Sequence, residues 1–288
     1  MPGFNLDDLE HTSQQEIAEH LQGTWRFRGH IYRMFAVSMM DDYAPTFSKL
    51  HDRAIPANHV GGAPAGTRIN QVLLSIQNIH SYVMLGWETG IENEFYECWR
   101  MGMTKEQIME LVMFTQQYAG MRGLGHTYRA VGDWLPTMSV PDVELQFPEG
   151  WAADPDAFRS GLDLTTREMT PADRENLTGW YERTIGYVPK SIVFGLKYHP
   201  DYTKVCREKW EHAITTLPKQ VAPYLMLRHN TITQSVEGLR ESALLAKAWG
   251  VTKGYVLQGI AASTYYFTGL EGSYAVYEAL DDILEAWE

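Results

Sequence analysis

Hydrophobic positions recur every three or four residues along most of the chain, which is the period of an amphipathic α-helix. In residues 69–84 this stripe consists of Ile69, Leu73, Ile76, His80 and Val83. The corresponding stripe in the second half consists of Val221, Leu225, His229, Ile232 and Val236. Strand-like alternation is nowhere sustained. The pattern predicts an all-α fold with two bundles of about five to six helices each.

The sequence repeats itself at nearly constant spacing. YAGMRGLGHTY at residues 118–128 matches FTGLEGSYAVY at residues 267–277, with two glycines and the last tyrosine of each segment 149 positions apart. GMTK at residues 102–105 matches GVTK at residues 250–253, and His80 matches His229. Because order and spacing are both kept, we predict a helical unit over 1–135, a linker over 136–172 and a second unit over 173–288.

The repeat extends towards the N-terminus with a different spacing. Four matched pairs lie 159 positions apart: Asp42 and Asp201, Tyr43 and Tyr202, Ala54 and Ala213, Ile55 and Ile214. The ten additional residues fall in the Gly- and Pro-rich segment PANHVGGAPAGTR, residues 56–68. This composition predicts a loop, either a surface insertion or a lid.

The next helix of the first copy carries a carboxylate on its apolar face. That face is formed by Ile91, Glu94, Phe95 and Cys98, and the outward faces by Glu92, Asn93, Glu97 and Arg100. Gly102 is expected to end the helix, and Thr104 with Gln107 predicts a capping box for the following one. A carboxylate on a dry face is costly unless paired, so Glu94 stands out.

The segments GMTKEQIMELVMFTQQYAG and IGYVPKSIVFGLKYHPDY resemble the carboxymuconolactone decarboxylase and alkylhydroperoxidase-like superfamily, in a tandem two-unit form. The resemblance covers roughly residues 30–135 and 180–286. It implies a helical pocket near the start of the helix that carries Glu94, commonly at a subunit contact. It also implies a ring-shaped homo-oligomer, in which three tandem chains mimic a hexamer of single units.

The residues that perform thiol chemistry in that family are replaced here. Counting back from the Gly-x-Thr turn, the CxxCxxxH positions hold Trp87, Gly90 and Glu94 in the first copy. In the second copy they hold Ser235, Gly238 and Ser242. A cysteine-pair peroxidase is therefore excluded, because it needs a thiolate at these positions. The decarboxylase branch has histidine where Glu94 stands, so its reaction cannot simply be transferred.

Two residues are candidate catalysts. Desolvation of Glu94 favours its neutral form, as in many general acids and bases, although a structural ion pair would also explain it. His80 lies on an apolar stripe one helix away, where it could exchange protons with a substrate and have its ring oriented by Glu94. A buried histidine held by one structural hydrogen bond is the alternative.

Five further residues are candidates for substrate binding. Arg122, close to a helix start, suits a carboxylate, unless it pairs with a neighbouring glutamate. Tyr118, Trp87 and His126 flank the same region and could shape a pocket for a planar ligand, or serve as packing. His229 occupies the position of His80 in the second copy.

Charge and composition narrow the partners. The formal charge of −12 and the pI near 5.3 argue against DNA, RNA or an anionic membrane, and favour a small molecule or another protein. No apolar run of about 18 residues and no signal peptide occur, so we expect a cytoplasmic protein. Cys98 and Cys206 are far apart and are expected to be buried packing residues.

Together these features predict a cofactor-independent lyase-type enzyme that acts on a small, carboxylated or phenolic, ring-derived metabolite. Decarboxylation, lactone chemistry and proton-transfer elimination remain open. One alternative is a non-catalytic helical scaffold or small-ligand binding protein. Another is a metal-dependent hydrolase or oxygenase, in which His80, Glu94 and His126 would form a two-histidine, one-carboxylate site.

Overall fold

A computed structural model describes residue 8, residues 25–27, 30–32, 40 and 43–51, and residues 71–287. Among these, the residues up to 51 belong to one compact unit and residues 71–287 to another. The predicted loop at 56–68 and the repeated residues Asp42, Ala54 and Ile55 lie outside the described residues.

The smaller unit contains a short antiparallel strand pair and a helix. Strand β1, Trp25–Phe27, pairs with strand β2, His30–Tyr32, so that Arg26 lies opposite Ile31. A helix follows over residues 45–51, and within it Lys49 is buried and donates from Nζ to the backbone oxygen of Asp8 at 2.7 Å. Both strands are short, with three residues each.

The larger unit is built from helices, which confirms the predicted all-α class. We number them α1 Gln71–Leu85, α2 Glu88–Arg100, α3 Lys105–Val131, α4 Pro171–Ile185, α5 Lys190–Tyr198, α6 Pro200–Glu211, α7 Val221–Thr233, α8 Val236–Ala248, α9 Lys253–Ser263 and α10 Gly269–Glu285. Short 3₁₀ turns occur at Leu135–Thr137 and Pro155–Phe158, and a π-helical turn at Thr264–Thr268 joins α9 to α10. Within the described ranges, no helix combines the length and apolar composition that a bilayer crossing requires.

Residues that repeat in sequence take the same backbone conformation. Gly120, within α3, has φ 62° and ψ −165°, and its counterpart Gly269 has φ 66° and ψ −169°. Gly102 and Gly250, which follow α2 and α8, both have positive φ, at 102° and 79°. These angles are accessible mainly to glycine. In the alignment of the predicted copies, α1, α2 and α3 correspond to α7, α8 and the α9–α10 pair.

Helices of both copies share one core. α1 packs against α2 and α3, and it also contacts α7, its counterpart in the second copy. Four residues of the predicted stripe on α1, Leu73, Ile76, His80 and Val83, are fully buried as expected, and Ile69 lies outside the described residues. In the second predicted stripe, Val236 is 57% exposed and begins α8. The predicted capping box is also present, since Thr104 accepts from the Gln107 backbone while the Gln107 side chain accepts from the Thr104 backbone.

The packing corrects two predictions about side-chain exposure. On α2 the expected outward residues Asn93 and Glu97 are only 3% and 5% exposed, because α2 is covered on more than one side. Glu97 is neutralised there by Arg100, whose Nη2 lies 2.7 Å from Glu97 Oε2. Cys98 is buried as expected, but Cys206 is only partly buried on α6.

The segment between the copies contacts both of them. On the first-copy side, Trp99 donates from Nε1 to the backbone oxygen of Ser139 at 2.9 Å. On the second-copy side, Arg207 donates to the backbone oxygen of Phe158 at 3.0 Å. Phe158 itself is fully buried in the aromatic core. The predicted boundaries of unit and linker stay a prediction.

The break in α3 yields a stability prediction. An alanine at position 120 would have to adopt φ and ψ angles that only glycine adopts without strain. We therefore expect Gly120→Ala to lower the free energy of unfolding by about 1–3 kcal/mol. Gly125→Ala in the same helix is the control, since its Cβ would make an ordinary van der Waals contact of 3.7 Å with Arg129 Nη1 and Gly125 has no positive φ. That variant should be neutral or more stable by up to about 1 kcal/mol. Equal effects of the two substitutions in urea denaturation would contradict the assigned backbone strain.

Candidate functional site

The candidate site begins with His80 on α1. Its side chain is fully buried, and its Nδ1 lies 2.9 Å from the hydroxyl oxygen of Thr115 on α3. The other ring nitrogen, Nε2, has no hydrogen-bond partner among the described residues. Burial holds the pKa of His80 well below its usual range, and the neighbouring His229 and Arg228 add to this effect. His80 is therefore a neutral imidazole at physiological pH.

His229 on α7 meets His80 across the contact between the copies. The two ring centroids lie 5.6 Å apart with the rings perpendicular, and the Tyr118 ring lies 4.7 Å from the ring of His229 and 5.6 Å from that of His80. Burial lowers the pKa of His229 to about 4, and its Nδ1 also lacks a hydrogen-bond partner in the described part of the chain. Burial likewise raises the pKa of Tyr118, which stays protonated. Three predicted site residues therefore form one ring cluster.

Arg228, the residue before His229, carries a fully buried guanidinium group. Its Nε donates to Ser81 Oγ at 2.7 Å and its Nη2 to Asn78 Oδ1 at 2.7 Å, both on α1. Its Nη1 donates to Ser263 Oγ on α9 at 3.2 Å, and its charge lies 4.6 Å from the centre of the Phe267 ring. Desolvation lowers its pKa to about 10, so it stays charged. No carboxylate among the described residues forms an ion pair with it.

Glu94 is linked to this guanidinium through Asn78. The amide of Asn78 donates from Nδ2 to Glu94 Oε1 at 3.2 Å while its oxygen accepts from Arg228. Glu94 is 6% exposed, and burial raises its pKa to about 7, although hydrogen bonds from Ser75, Asn78 and Asn93 act in the opposite direction. Glu94 does not orient the ring of His80, since Thr115 holds that ring. The carboxyl is therefore a group that changes charge near neutral pH.

Sequence reasoning missed Arg228 and Asn78. A signal was present, because Arg228 directly follows the apolar run VAPYLML of α7, and a buried charge beside such a run is rare unless it is paired. Helical periodicity alone could not reveal that Ser81, Asn78 and Ser263 converge on it. Their convergence depends on how α1, α7 and α9 pack.

The remaining predicted residues lie away from the ring cluster. His126 is largely buried and contacts Glu88 Oε1 from its Nδ1 at 2.9 Å, while Arg129 binds the same oxygen at 2.6 Å. Arg122 is exposed and donates from Nε to His126 Nε2 at 3.4 Å. Trp87 instead packs edge-to-face on Tyr82, with ring centroids 4.6 Å apart. Arg122 thus lies on the surface and contacts the largely buried His126 instead of the ring cluster.

The structure does not bring the three proposed metal ligands together. His80 is held by Thr115, Glu94 by Asn78, and His126 by Glu88. Over residues 71–287 and the shorter described stretches, no three His, Cys, Asp or Glu side chains converge as metal ligands would. The groups around Arg228 are instead one cation, one carboxyl with a pKa near neutrality and two neutral imidazoles.

Glu94 yields a prediction about stability and pH. Its folded-state pKa of about 7 lies above the ordinary value of 4.5, so the folded chain binds this proton more tightly than the unfolded chain. The resulting stabilisation is complete below pH 4.5 and is lost as the pH rises to about 7. Glutamine resembles the protonated carboxyl, so Glu94→Gln should gain about 3 kcal/mol relative to the unmodified chain between pH 4.5 and 8. Denaturation at several pH values measures this difference. Glu106→Gln, which removes an exposed carboxylate of α3, is the control, and identical profiles for both variants would contradict the assignment.

Comparison of the chain with protein-family models, curated proteins and solved structures finds no match. Support for a function comes therefore from the interior groups themselves. Arg228 and the two histidines lie at the contact between α1 and α7, and Glu94 is joined to Arg228 through Asn78.

Proposed function

We propose that the protein is a cofactor-independent lyase-type enzyme acting on a small, carboxylated or phenolic, ring-derived metabolite, as its resemblance to the carboxymuconolactone decarboxylase-like proteins implies. One observation carries the proposal. His80 and the partly buried His229, at equivalent positions of the two copies, lie ring against ring, and each has one buried ring nitrogen without a partner in the described structure. Structural histidines normally have both nitrogens satisfied when buried.

The imidazoles supply the proton transfer. At neutral pH both are uncharged, so each ring has one nitrogen that accepts a proton and one that carries a proton to donate. Thr115 fixes Nδ1 of His80, which leaves Nε2 for the substrate. In a decarboxylation the carbon–carboxyl bond breaks, CO₂ leaves, and the electron pair left on carbon takes up a proton. A lactone or elimination step likewise removes a proton at one atom and returns one at another.

Arg228 and Glu94 supply the charge. The guanidinium of Arg228 attracts a substrate carboxylate or phenolate in a low-dielectric interior, where electrostatic attraction is strong. Glu94, coupled to it through Asn78, can take up or release a proton near pH 7. Arg228 thus assumes the anion-binding role that the sequence suggested for Arg122, because Arg122 is exposed on α3.

Replacing either histidine tests this function. We expect the unmodified protein to convert at least one member of a panel of aromatic and lactone carboxylic acids. His80→Asn and His229→Asn should each lower kcat about 100-fold or more, which is the usual contribution of a positioned acid or base. His212→Asn, at an exposed histidine of the α6 C-terminus, should leave kcat unchanged. Full activity of both interior variants on a turned-over substrate would reject the mechanism.

A second candidate is a non-catalytic small-ligand binding protein. The observation in its favour is burial, since His80 and Arg228 are fully enclosed. Neither His80 nor Arg228 lines the surface cavity at Lys105 or the one at Lys247. Thermal stabilisation by an aromatic acid that is never turned over would favour binding over catalysis.

We also propose that the tandem chain forms a trimer. Met121 and Leu270 occupy equivalent positions of the repeat, and both remain about 70% exposed. Large apolar side chains exposed at matched sites suit subunit contacts. Sedimentation velocity should give a trimer, and Met121→Glu should dissociate it, whereas a monomer with the native side chains would contradict the proposal.

A further inference from the structure

A surface groove of about 440 Å³ lies beside α3, away from the histidine cluster. Its walls include Lys105, Met109, Leu124, Tyr128, Val131 and Pro136. None of its lining residues belongs to the group around His80, Glu94 and Arg228. The volume falls within the range of pockets that hold small molecules.

The groove depends on the break at Gly120. In a straight helix Lys105 and Val131 would be about 39 Å apart, at 1.5 Å per residue. At Gly120, φ 62° and ψ −165° redirect the chain, so residues from both ends of α3 line one groove. The turn after α3, which contains Pro136, completes the wall. Side chains from the two arms therefore face each other across an apolar surface.

Lys105 gives the groove its single charged wall residue. It is half-buried, and no ion pair joins it to any described residue. As the first residue of α3 it also adds a positive charge at the positive end of the helix dipole, which favours an approaching anion. The buried Thr127 hydroxyl already donates to the backbone oxygen of Gly123 at 2.9 Å. An anionic ligand would therefore be held by the lysine.

We propose that this groove binds a small molecule with an apolar body and one carboxylate. The apolar body contacts Met109, Leu124 and Val131, and the carboxylate pairs with the ammonium group of Lys105. This site is independent of the proposed interior chemistry, since no residue is shared.

The repeat provides a matched control. Lys253 is the counterpart of Lys105, it is the first residue of α9, and it lines neither of the two cavities. Lys105→Met and Lys253→Met remove the same charge from equivalent helix starts. A difference between them must then come from the groove.

Calorimetric titration with sodium decanoate tests the site in the full-length protein, with 1-decanol as the uncharged comparison. We expect decanoate to bind more tightly than decanol. Lys105→Met should weaken decanoate about tenfold, in keeping with one charge-assisted hydrogen bond, whereas Lys253→Met should leave the affinity unchanged. Leu124→Trp, which fills the groove, should abolish binding of both probes.

Several results would overturn the proposal. These are no decanoate binding at millimolar concentration, equal loss in the two lysine variants, or undiminished binding to Leu124→Trp. A second copy of the chain could occupy the groove instead of a small molecule. Sedimentation velocity of Leu124→Trp distinguishes these two occupants. Dissociation of an oligomer by this variant, together with no decanoate binding to the native protein, would assign the groove to self-association instead.

Discussion

The buried guanidinium of Arg228 is the constraint on which the contact between the copies depends. A cation removed from water is costly unless fixed polar groups replace its hydration. Ser81 and Asn78 of α1 and Ser263 of α9 provide those groups. Both serine hydroxyls donate onward to backbone oxygens, of Gln77 and Gly259, so their lone pairs are oriented towards the arginine. The register of α1 against α7 is therefore set by a charge as well as by apolar packing.

The same charge shapes the titration of its neighbours. It disfavours a second positive charge on His80, which burial already disfavours, and it stabilises the anionic form of Glu94, which burial opposes. Around Arg228 the outcome is a cluster of one cation, two neutral imidazole rings and one carboxyl whose pKa lies near neutrality. A change of pH around 7 thus alters the charge of this cluster through Glu94.

Much of the fold could be predicted because its signals are local. The stripe on α1, the capping box at Thr104 and the glycines at the ends and breaks of helices depend on periodicity or on φ and ψ alone. The packing of one helix against another could not be predicted in the same way. Asn93 and Glu97 are buried because α2 is covered on more than one side. Arg122 is exposed two residues beyond the break at Gly120. The all-α class and the histidine positions followed from pattern, whereas the role of Arg228 required the packing of three helices.

Divergence between the copies gives a physical reason for joining them in one chain. The histidines match, but Ser242 stands opposite Glu94 in the alignment of the copies, and Ile79 stands opposite Arg228. The carboxyl and its amide bridge, Asn78, thus come from the first copy and the cation from the second. A symmetric contact between two identical single units would bury two arginines or two glutamates together, with like charges in a low-dielectric interior. A tandem chain can place one of each, so the link between Glu94 and Arg228 through Asn78 requires that the two copies differ.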